Sequence, residues 1–188
     1  MSKTIGIVGG LSPESTILYY QFIIRRYYEL FQNHQYPEII IYSVNFQKYI
    51  DWAYQEQWQD VTTDLTNILF NLHSAGADFG ILACNTVHVV YEQIRQHAPI
   101  PLLNIIDATA ESIQAQHIET IGLLGTQFTM EQPFYHQRLA TYGISTITPT
   151  KSQREYIDTL ILDELSHGII NPRSRRNVLT IIDSLINR

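Results

Sequence analysis

Cysteine is almost absent from this sequence, because Cys84 is the only one among its 188 residues. A single cysteine excludes a disulfide within the chain and a zinc site built from cysteine thiolates. The histidines show neither the H-x-x-x-H spacing nor the carboxylate pairing of metal sites, so we expect no metal. Any chemistry of this thiol would take place without a second thiol from the same chain.

Runs of basic residues and long apolar runs are also missing. Lys+Arg number 12 against 18 Asp+Glu, which gives a formal charge of −6, and the densest basic cluster is Arg173, Arg175 and Arg176, expected on a solvated helix face. This acidic balance argues against nucleic acid or an anionic membrane as the main partner. The apolar stretch around Thr4–Val8 is too short for a secretory signal or a membrane span, so we expect a cytoplasmic protein.

What the sequence does contain is an alternation of short apolar runs and longer segments of helical period. The apolar runs predict five strands, at Thr4–Val8, Ile39–Val44, Phe79–Ala83, Leu102–Ile105 and Thr120–Leu124. Helices are expected between and after them, near 13–32, 56–75, 87–97, 107–116 and 130–142. Such alternation is typical of an α/β protein with parallel sheets.

Two more helices are predicted towards the end of the chain. Ser152-x-x-Glu155 has the pattern of a capping box, and Asn171-Pro172 supplies an N-cap and a first-turn proline for the last helix. Pro99 and Pro101 interrupt the pattern halfway, because two prolines in three residues do not continue a helix. We therefore expect two similar α/β lobes, comprising residues 1–98 and 99–188.

The first candidate site is the turn Gly9-Gly10-Leu11-Ser12-Pro13-Glu14 between the first strand and the first helix. Backbone N–H groups and the positive end of a helix bind anions, so a carboxylate or phosphate fits there. The turn matches neither G-x-G-x-x-G nor G-x-x-x-x-G-K-[ST], which makes a nucleotide site a weak interpretation. The alternative is a tight turn with an ordinary N-cap.

The second candidate is Cys84-Asn85-Thr86, at the carboxyl end of the third strand. Ligands bind at this end of parallel strands, and a helix N-terminus lowers the pKa of a cysteine. The alternative is a cysteine that only fills the core. His88, four residues later, is either an orienting partner of Cys84 or a satisfied structural histidine.

The segment Gly125-Thr126-Gln127-Phe128-Thr129 repeats this pattern in the second half of the chain. It brings two hydroxyls to the start of a helix, one of which helix capping alone explains. One small polar cluster per half is consistent with a ligand between the lobes.

Four motifs in the same order and spacing resemble the cofactor-independent aspartate/glutamate racemases. They are Gly9-Gly10-Leu11-Ser12-Pro13-Glu14-Ser15-Thr16, Cys84-Asn85-Thr86-Val87-His88, Ile105-Ile106-Asp107-Ala108-Thr109-Ala110 and Gly122-Leu123-Leu124-Gly125-Thr126-Gln127-Phe128-Thr129-Met130. The resemblance implies a two-lobed α/β homodimer with an acidic amino acid or dicarboxylate in the cleft between the lobes, and no pyridoxal phosphate. In the two-cysteine members of that family, one thiolate removes the α-proton and a second thiol returns a proton to the opposite face.

The resemblance also implies roles for individual residues. Cys84 matches the first catalytic cysteine, and Asn85 and Thr86 match residues that bind the substrate carboxylates. Thr126 and Thr129 match the hydroxyls of the second lobe. Gly10, Leu11 and Ser12 match a loop that closes over the substrate.

The chain departs from the family pattern at its C-terminal end. Family members continue with a strand, a Gly-Cys-Thr-Glu motif that carries the second cysteine, and a final helix, whereas this chain ends at Arg188. One thiol serves one face of a planar intermediate, so weak or absent racemisation is expected. The alternatives are a catalytically inactive relative that binds a dicarboxylate or stabilises another subunit, and a one-cysteine decarboxylase or isomerase of a diacid.

Overall fold

The computed structural model describes residues 3–188, which divide into two compact units. The first unit ends at Asn104 and the second comprises Ile105–Arg188. The boundary predicted at residue 98 lies a few residues earlier in the chain. Leu102 and Leu103 pair with Gly80 and Ile81, so the strand after the two prolines belongs to the first unit.

A four-stranded parallel sheet forms the centre of the first unit. Its strands are β1 (Ile5–Gly9), β2 (Ile39–Ser43), β3 (Phe79–Leu82) and β4 (Leu102–Leu103), in the order β2-β1-β3-β4. Its helices are α1 (Pro13–Phe31), α2 (Phe46–Tyr54), α3 (Trp58–Ser74) and α4 (Tyr91–His97), with a 3₁₀ turn at Thr86–Val90.

The sequence of β1 is a continuous apolar run because the strand is buried. All five of its residues are buried, since β1 lies between β2 and β3 and both faces of the sheet are covered. Helix α3 packs an apolar stripe against one face, and the buried members of the stripe are Val61, Leu65, Ile68, Leu69 and Leu72. Tyr19 and Ile23 of α1 pack against Ile5 and Ile7 on the other face.

The second unit has a smaller parallel sheet. Its strands are β5 (Thr120–Gly122) and β6 (Ser145–Ile147). Its helices are α5 (Ile105–Gln114), α6 (Gln127–Glu131), α7 (Pro133–Ala140), α8 (Lys151–Asp163) and α9 (Pro172–Ile186), with a 3₁₀ turn at Leu165–His167. Parallel pairing in both units confirms the predicted α/β class.

The predicted elements differ from the observed ones in number and in bounds. Helix α2 and strand β6 were not predicted. The helix predicted over 130–142 is two helices, because Gln132 is extended before Pro133. The strand predicted over Leu102–Ile105 ends at Leu103, and Ile105 instead opens α5, whose Ile106, Ala110 and Ile113 are buried at helical spacing.

The two predicted helix starts near the C-terminal end have different outcomes. Asn171 does cap α9, since its side chain accepts a hydrogen bond from the N–H of Arg173 at 2.9 Å. The capping box of α8 is formed by Thr150 and Gln153, so the assignment to Ser152 and Glu155 is wrong. No helix within residues 3–188 is both long and apolar enough to span a bilayer.

Candidate active site

The turn after β1 depends on a glycine at position 10. Gly10 has φ +81°, and a Cβ built there would lie 2.7 Å from Ser43 Oγ and from the backbone N and O of Val44. Positive φ and close backbone approach both favour glycine. The residue therefore lets the β1–α1 turn pass directly beside the end of β2.

Several hydrogen bonds of this turn are made between its own residues. The N–H of Gly10 donates to Thr16 Oγ1 at 2.8 Å, and the Thr16 hydroxyl donates to the carbonyl of Ser12 at 3.0 Å. Ser12 is the N-cap of α1 and accepts from the N–H of Ser15 at 3.5 Å. The side chain of Leu11 is buried in the core. The turn thus has the structure of an ordinary capped helix start, and Ser12 is its partly exposed polar group.

Cys84 lies beside this turn because β3 is the neighbour of β1. Val8 pairs with Leu82, and the N–H of Ala83 donates to the carbonyl of Val8 at 2.9 Å. Cys84 therefore follows directly after the last ladder contact, at the edge where ligands bind in parallel sheets. The structure brings Gly10, Leu11, Ser12 and the Cys84 loop to this one edge.

The prediction of a lowered pKa for Cys84 is wrong. Burial raises the pKa of the thiol, and this effect exceeds that of the donors that favour thiolate, namely the backbone N–H groups of Val87 and Thr86 and the Thr86 hydroxyl. The segment that follows Cys84 is a five-residue 3₁₀ turn, and α4 begins only at Tyr91. Cys84 therefore has hydrogen-bond donors for its thiolate form but not the start of a regular α-helix.

Asn85 and Thr86 occupy different surroundings in this loop. Asn85 is exposed and Thr86 is half-buried, with its hydroxyl directed at the sulfur of Cys84. The family resemblance implied that both bind the substrate carboxylates. In the structure Thr86 already has a role towards the thiol, and Asn85 presents its side chain to solvent.

His88 lies against the main chain of Cys84. Its Nδ1 lies 2.8 Å from the carbonyl oxygen of Cys84, and its ring is 4% exposed. The ring stacks on Tyr91 with centroids 5.5 Å apart and planes 4° from parallel. It is a buried structural residue that also contacts the main chain of Cys84.

Helix α2, which the sequence analysis missed, adds a polar group near this loop. Tyr49 is 4% exposed, belongs to the cluster against which Cys84 packs, and donates to Asp64 Oδ2 at 2.5 Å. Lys48 Nζ lies 2.8 Å from the same oxygen. Burial, and then the hydrogen bond to Asp64, raise the pKa of Tyr49. The available signals for this helix were the Asn45 N-cap and the helical spacing of the apolar residues that follow it.

Thr126 and Thr129 lie together in the second unit. Thr126 is the N-cap of α6 and accepts from the N–H of Thr129 at 3.3 Å, and the two hydroxyl oxygens are 3.1 Å apart. Thr129 is 1% exposed. The N–H of Gln127 donates to Asp158 Oδ1 at 2.7 Å, so an acidic side chain of the same unit occupies part of this helix start. Thr126 is therefore the more accessible of the two predicted hydroxyls.

Comparison with known proteins finds the same family that the four sequence motifs resemble. The family model described as Asp/Glu/hydantoin racemase matches residues 8–188. The broad specificity amino-acid racemase RacX of Bacillus subtilis (strain 168) is 30% identical over 146 residues, which are 76% of this chain and 63% of that protein. The chain thus spans less than two thirds of the length of this curated relative.

Solved structures agree with both the fold and the family. A candidate Asp/Glu racemase from Yersinia pestis is 39% identical, with a TM-score of 0.87 over 98% of this chain and 81% of that one. An aspartate racemase homologue from Pyrococcus horikoshii OT3 is 37% identical, with a TM-score of 0.77 over 90% of this chain and 74% of that one. The resemblance inferred from the four motifs is confirmed.

Proposed function

Because the chain belongs to the Asp/Glu/hydantoin racemase family, we propose that it removes and returns the α-proton of an acidic amino acid, with Cys84 as the acid/base and no cofactor. The observation that carries this proposal is the position of Cys84. It follows the last ladder contact of β3, and three donors from Thr86 and Val87 favour its thiolate. Aspartate and glutamate are the first substrates to test.

The proton transfer balances with one thiol. The Cys84 thiolate takes the proton from Cα, which leaves the electron pair of the C–H bond delocalised onto the substrate carboxylate, and Cys84 becomes a neutral thiol. Return of that proton to the same face restores the starting enantiomer, whereas protonation of the opposite face by another donor gives the other one. Exchange of the α-proton with solvent therefore needs Cys84 alone, and inversion needs a second donor.

Stabilisation of the carbanion-like state requires donors at the substrate carboxylate, because the α-proton is weakly acidic. In the first unit, the side chains of Ser12, Asn85 and Thr86 and the backbone N–H groups of Leu11 and Ser12 are the proposed ligands. Gly10, whose own N–H donates to Thr16 Oγ1, is proposed to shape the turn that presents them. In the second unit, Thr126 and the adjacent Thr129 are the proposed hydroxyl ligands. The exposed side chain of Asn85 and the half-buried Ser12 and Thr126 support this assignment.

The test is hydrogen–deuterium exchange at Cα, followed by NMR in D₂O with both enantiomers of aspartate and of glutamate. We expect exchange with the wild-type protein and none with Cys84→Ser. Accumulation of the opposite enantiomer would report a second proton donor. A folded wild-type protein that exchanges none of the four substrates would contradict the proposal. Thermal stabilisation by a dicarboxylate without exchange would then favour the binding-only alternative.

We further propose that the protein is a homodimer joined through α1. Apolar residues on one side of this helix follow a three- and four-residue spacing, at Ile17, Tyr20, Ile24, Tyr27 and Phe31. Ile17, Tyr20 and Phe31 are 49%, 46% and 50% exposed. Such a seam fits another helix with the same seam, and a second copy supplies one by two-fold symmetry.

The exposed residues on this side of α1 supply part of the area that a dimer interface uses. With roughly 100 Å² for each half-exposed large side chain, Ile17, Tyr20 and Phe31 of the seam and the neighbouring Tyr28, 54% exposed, present about 400 Å². That is about half of the ~800 Å² that each partner of a stable complex buries. Ile41, 40% exposed on the edge strand β2, lies two residues after Ile39, which packs on the α1 side of the sheet, so alternation along the strand places Ile41 on that side too. The seam carries no charge that a second copy would repel.

Sedimentation equilibrium tests this association. We expect wild-type dimers, and monomers for Tyr20→Glu. Phe22→Glu is the matched control, since Phe22 is 56% exposed on the opposite side of the same helix and its replacement leaves the seam intact. A wild-type protein that is monomeric over the whole concentration range would contradict the proposal, as would equal effects of the two substitutions.

A further inference from the structure

Two consecutive carbonyl groups at Cys84 receive hydrogen bonds from side chains of other elements. Ser15 Oγ lies 3.2 Å from the carbonyl oxygen of Ala83, and His88 Nδ1 lies 2.8 Å from that of Cys84. Both carbonyls lie beyond the end of β3, where the sheet ladder has stopped. Buried backbone carbonyls need partners, and Ala83 is 1% exposed.

Ser15 connects the two loops that meet at this edge of the sheet. Its hydroxyl oxygen is also 2.9 Å from the carbonyl of Ser12, so the single hydroxyl hydrogen is shared between the N-terminal turn of α1 and the strand end before Cys84. The residues joined in this way are 68 positions apart in the chain. A change of α1 relative to β3 would therefore move the main chain on the N-terminal side of Cys84.

His88 acts on the other side of Cys84. A carbonyl oxygen only accepts hydrogen bonds, so Nδ1 of His88 carries a proton and donates it. The ring cannot swing away easily, because it is buried and stacked on Tyr91, whose hydroxyl donates to the carbonyl of Leu102 at 2.8 Å. The orientation of the peptide between Cys84 and Asn85 is thereby tied to β4.

We propose that Ser15 and His88 are positioning residues for Cys84: by binding the carbonyls of Ala83 and Cys84, they keep Sγ aligned with the donors of Thr86 and Val87. Neither residue is assigned a contact with substrate. A catalytic consequence of this positioning rests on the proposed role of Cys84 as acid/base. The effect on the reactivity of the thiol itself is measurable without substrate.

The experiment uses the rate of Cys84 alkylation by iodoacetamide as a function of pH. Because Cys84 is the only cysteine in the chain, the reaction reports on this thiol alone. Ser15→Ala removes the hydroxyl donor, and His88→Phe keeps a stacking ring without the Nδ1 donor. We expect both variants to react roughly three- to tenfold more slowly below the midpoint of the profile, with the midpoint moved to higher pH, since the thiolate loses part of a charge-assisted hydrogen bond.

Conservative variants and a control complete the design. Ser15→Thr and His88→Asn each retain a donor at the required position, so we expect near wild-type profiles. Thr63→Ala removes a hydroxyl that donates to the carbonyl of Gln59 on the exposed side of α3, and we expect no change. His88→Gln, whose amide reaches the Nε2 position instead, replaces His88→Phe if that variant does not fold.

Folding of each variant is checked by circular dichroism before alkylation. Unchanged or faster alkylation in folded Ser15→Ala and folded His88→Phe would overturn the proposal. Slower alkylation that the conservative variants do not restore would overturn it as well. If wild-type protein shows no α-proton exchange but the alkylation shifts occur, the positioning role stands and the proposed activity fails.

Discussion

Replacement of Gly10 by alanine should destabilise the first unit by two separable effects. The first is conformational, because φ +81° disfavours an L side chain at a cost of about 1–2 kcal/mol. The second is steric, because the new Cβ would meet the main chain of Val44 at 2.7 Å. Backbone does not move aside like the end of a flexible side chain, so we expect a further ~1–3 kcal/mol. Together the loss in unfolding free energy is about 2–5 kcal/mol.

Gly76→Ala is the matched control in the same unit. Gly76 has φ +102°, further from the left-handed minimum than Gly10, but a Cβ there would meet nothing within 4 Å. The control therefore bears at least the same conformational cost and no steric cost. Urea denaturation followed by circular dichroism gives both values. Equal or smaller destabilisation by Gly10→Ala than by Gly76→Ala would refute the claim that close approach to Val44 requires glycine.

Three further predictions concern stability. Tyr49→Phe removes the hydrogen bond to Asp64 Oδ2 and should lower the unfolding free energy by about 1–2 kcal/mol, a limited loss because Asp64 keeps Lys48 as a partner. Thermal unfolding measures this loss, and a value below a few tenths of a kcal/mol would contradict the importance of the bond. Asn171→Ala removes the N-cap of α9 and should cost about 1 kcal/mol in the second unit. Asn177→Ala, within the same helix, removes only an exposed hydrogen bond to the Tyr156 hydroxyl and should cost less if capping is the cause. Burial raises the pKa of the Cys84 thiol, so its contribution to stability is complete below the unfolded thiol value of about 8.5 and is lost as pH rises through the folded value. Cys84→Ala should therefore flatten the alkaline decline of the unfolding free energy, and parallel wild-type and variant curves above that pH would count against the raised pKa.

The positions of the candidate residues were predictable from sequence because parallel strands end at a common edge. The apolar run that became β1 and the run that became β3 each lead directly into one of the two polar motifs, Gly10–Ser12 and Cys84–Thr86. Neighbouring strands then bring the two motifs together without any knowledge of side-chain contacts. The capping of α1 by Ser12 and of α6 by Thr126 was equally local.

The state of the thiol could not be predicted in this way. Its pKa depends on the balance between burial and three donors, and burial is a tertiary property that the local pattern does not report. The sequence also predicted an α-helix after Cys84, where the chain forms a 3₁₀ turn. The contact between Ser15 and Ala83 spans 68 residues and connects a hydroxyl to a carbonyl, for which no sequence pattern exists.

The two missed elements differ in the apolar signal they carry. Helix α2 has Phe46, Tyr49, Ile50 and Ala53 at helical spacing, a pattern that by itself predicts a helix. Tyr49 is its buried residue, and its other aromatic residues are partly or fully exposed. Strand β6 has three residues, two of which carry hydroxyls. Both are stabilised by packing against neighbours, namely α3 for α2, and β5 for β6. Local propensity is a weak guide to a strand as short as β6.

The central claim is that the Cys84 thiolate is the base, and the pH dependence of α-proton exchange tests it most directly. The exchange rate with the best amino acid should rise with pH, because burial raises the thiol pKa and only the deprotonated form removes the proton. The midpoint of the pH profile of kcat/KM for exchange should coincide with the midpoint of the pH profile of the Cys84 alkylation rate constant, measured on the free protein. Exchange that persists in Cys84→Ser, or that shows no dependence on pH across the titration of the thiol, would contradict the account.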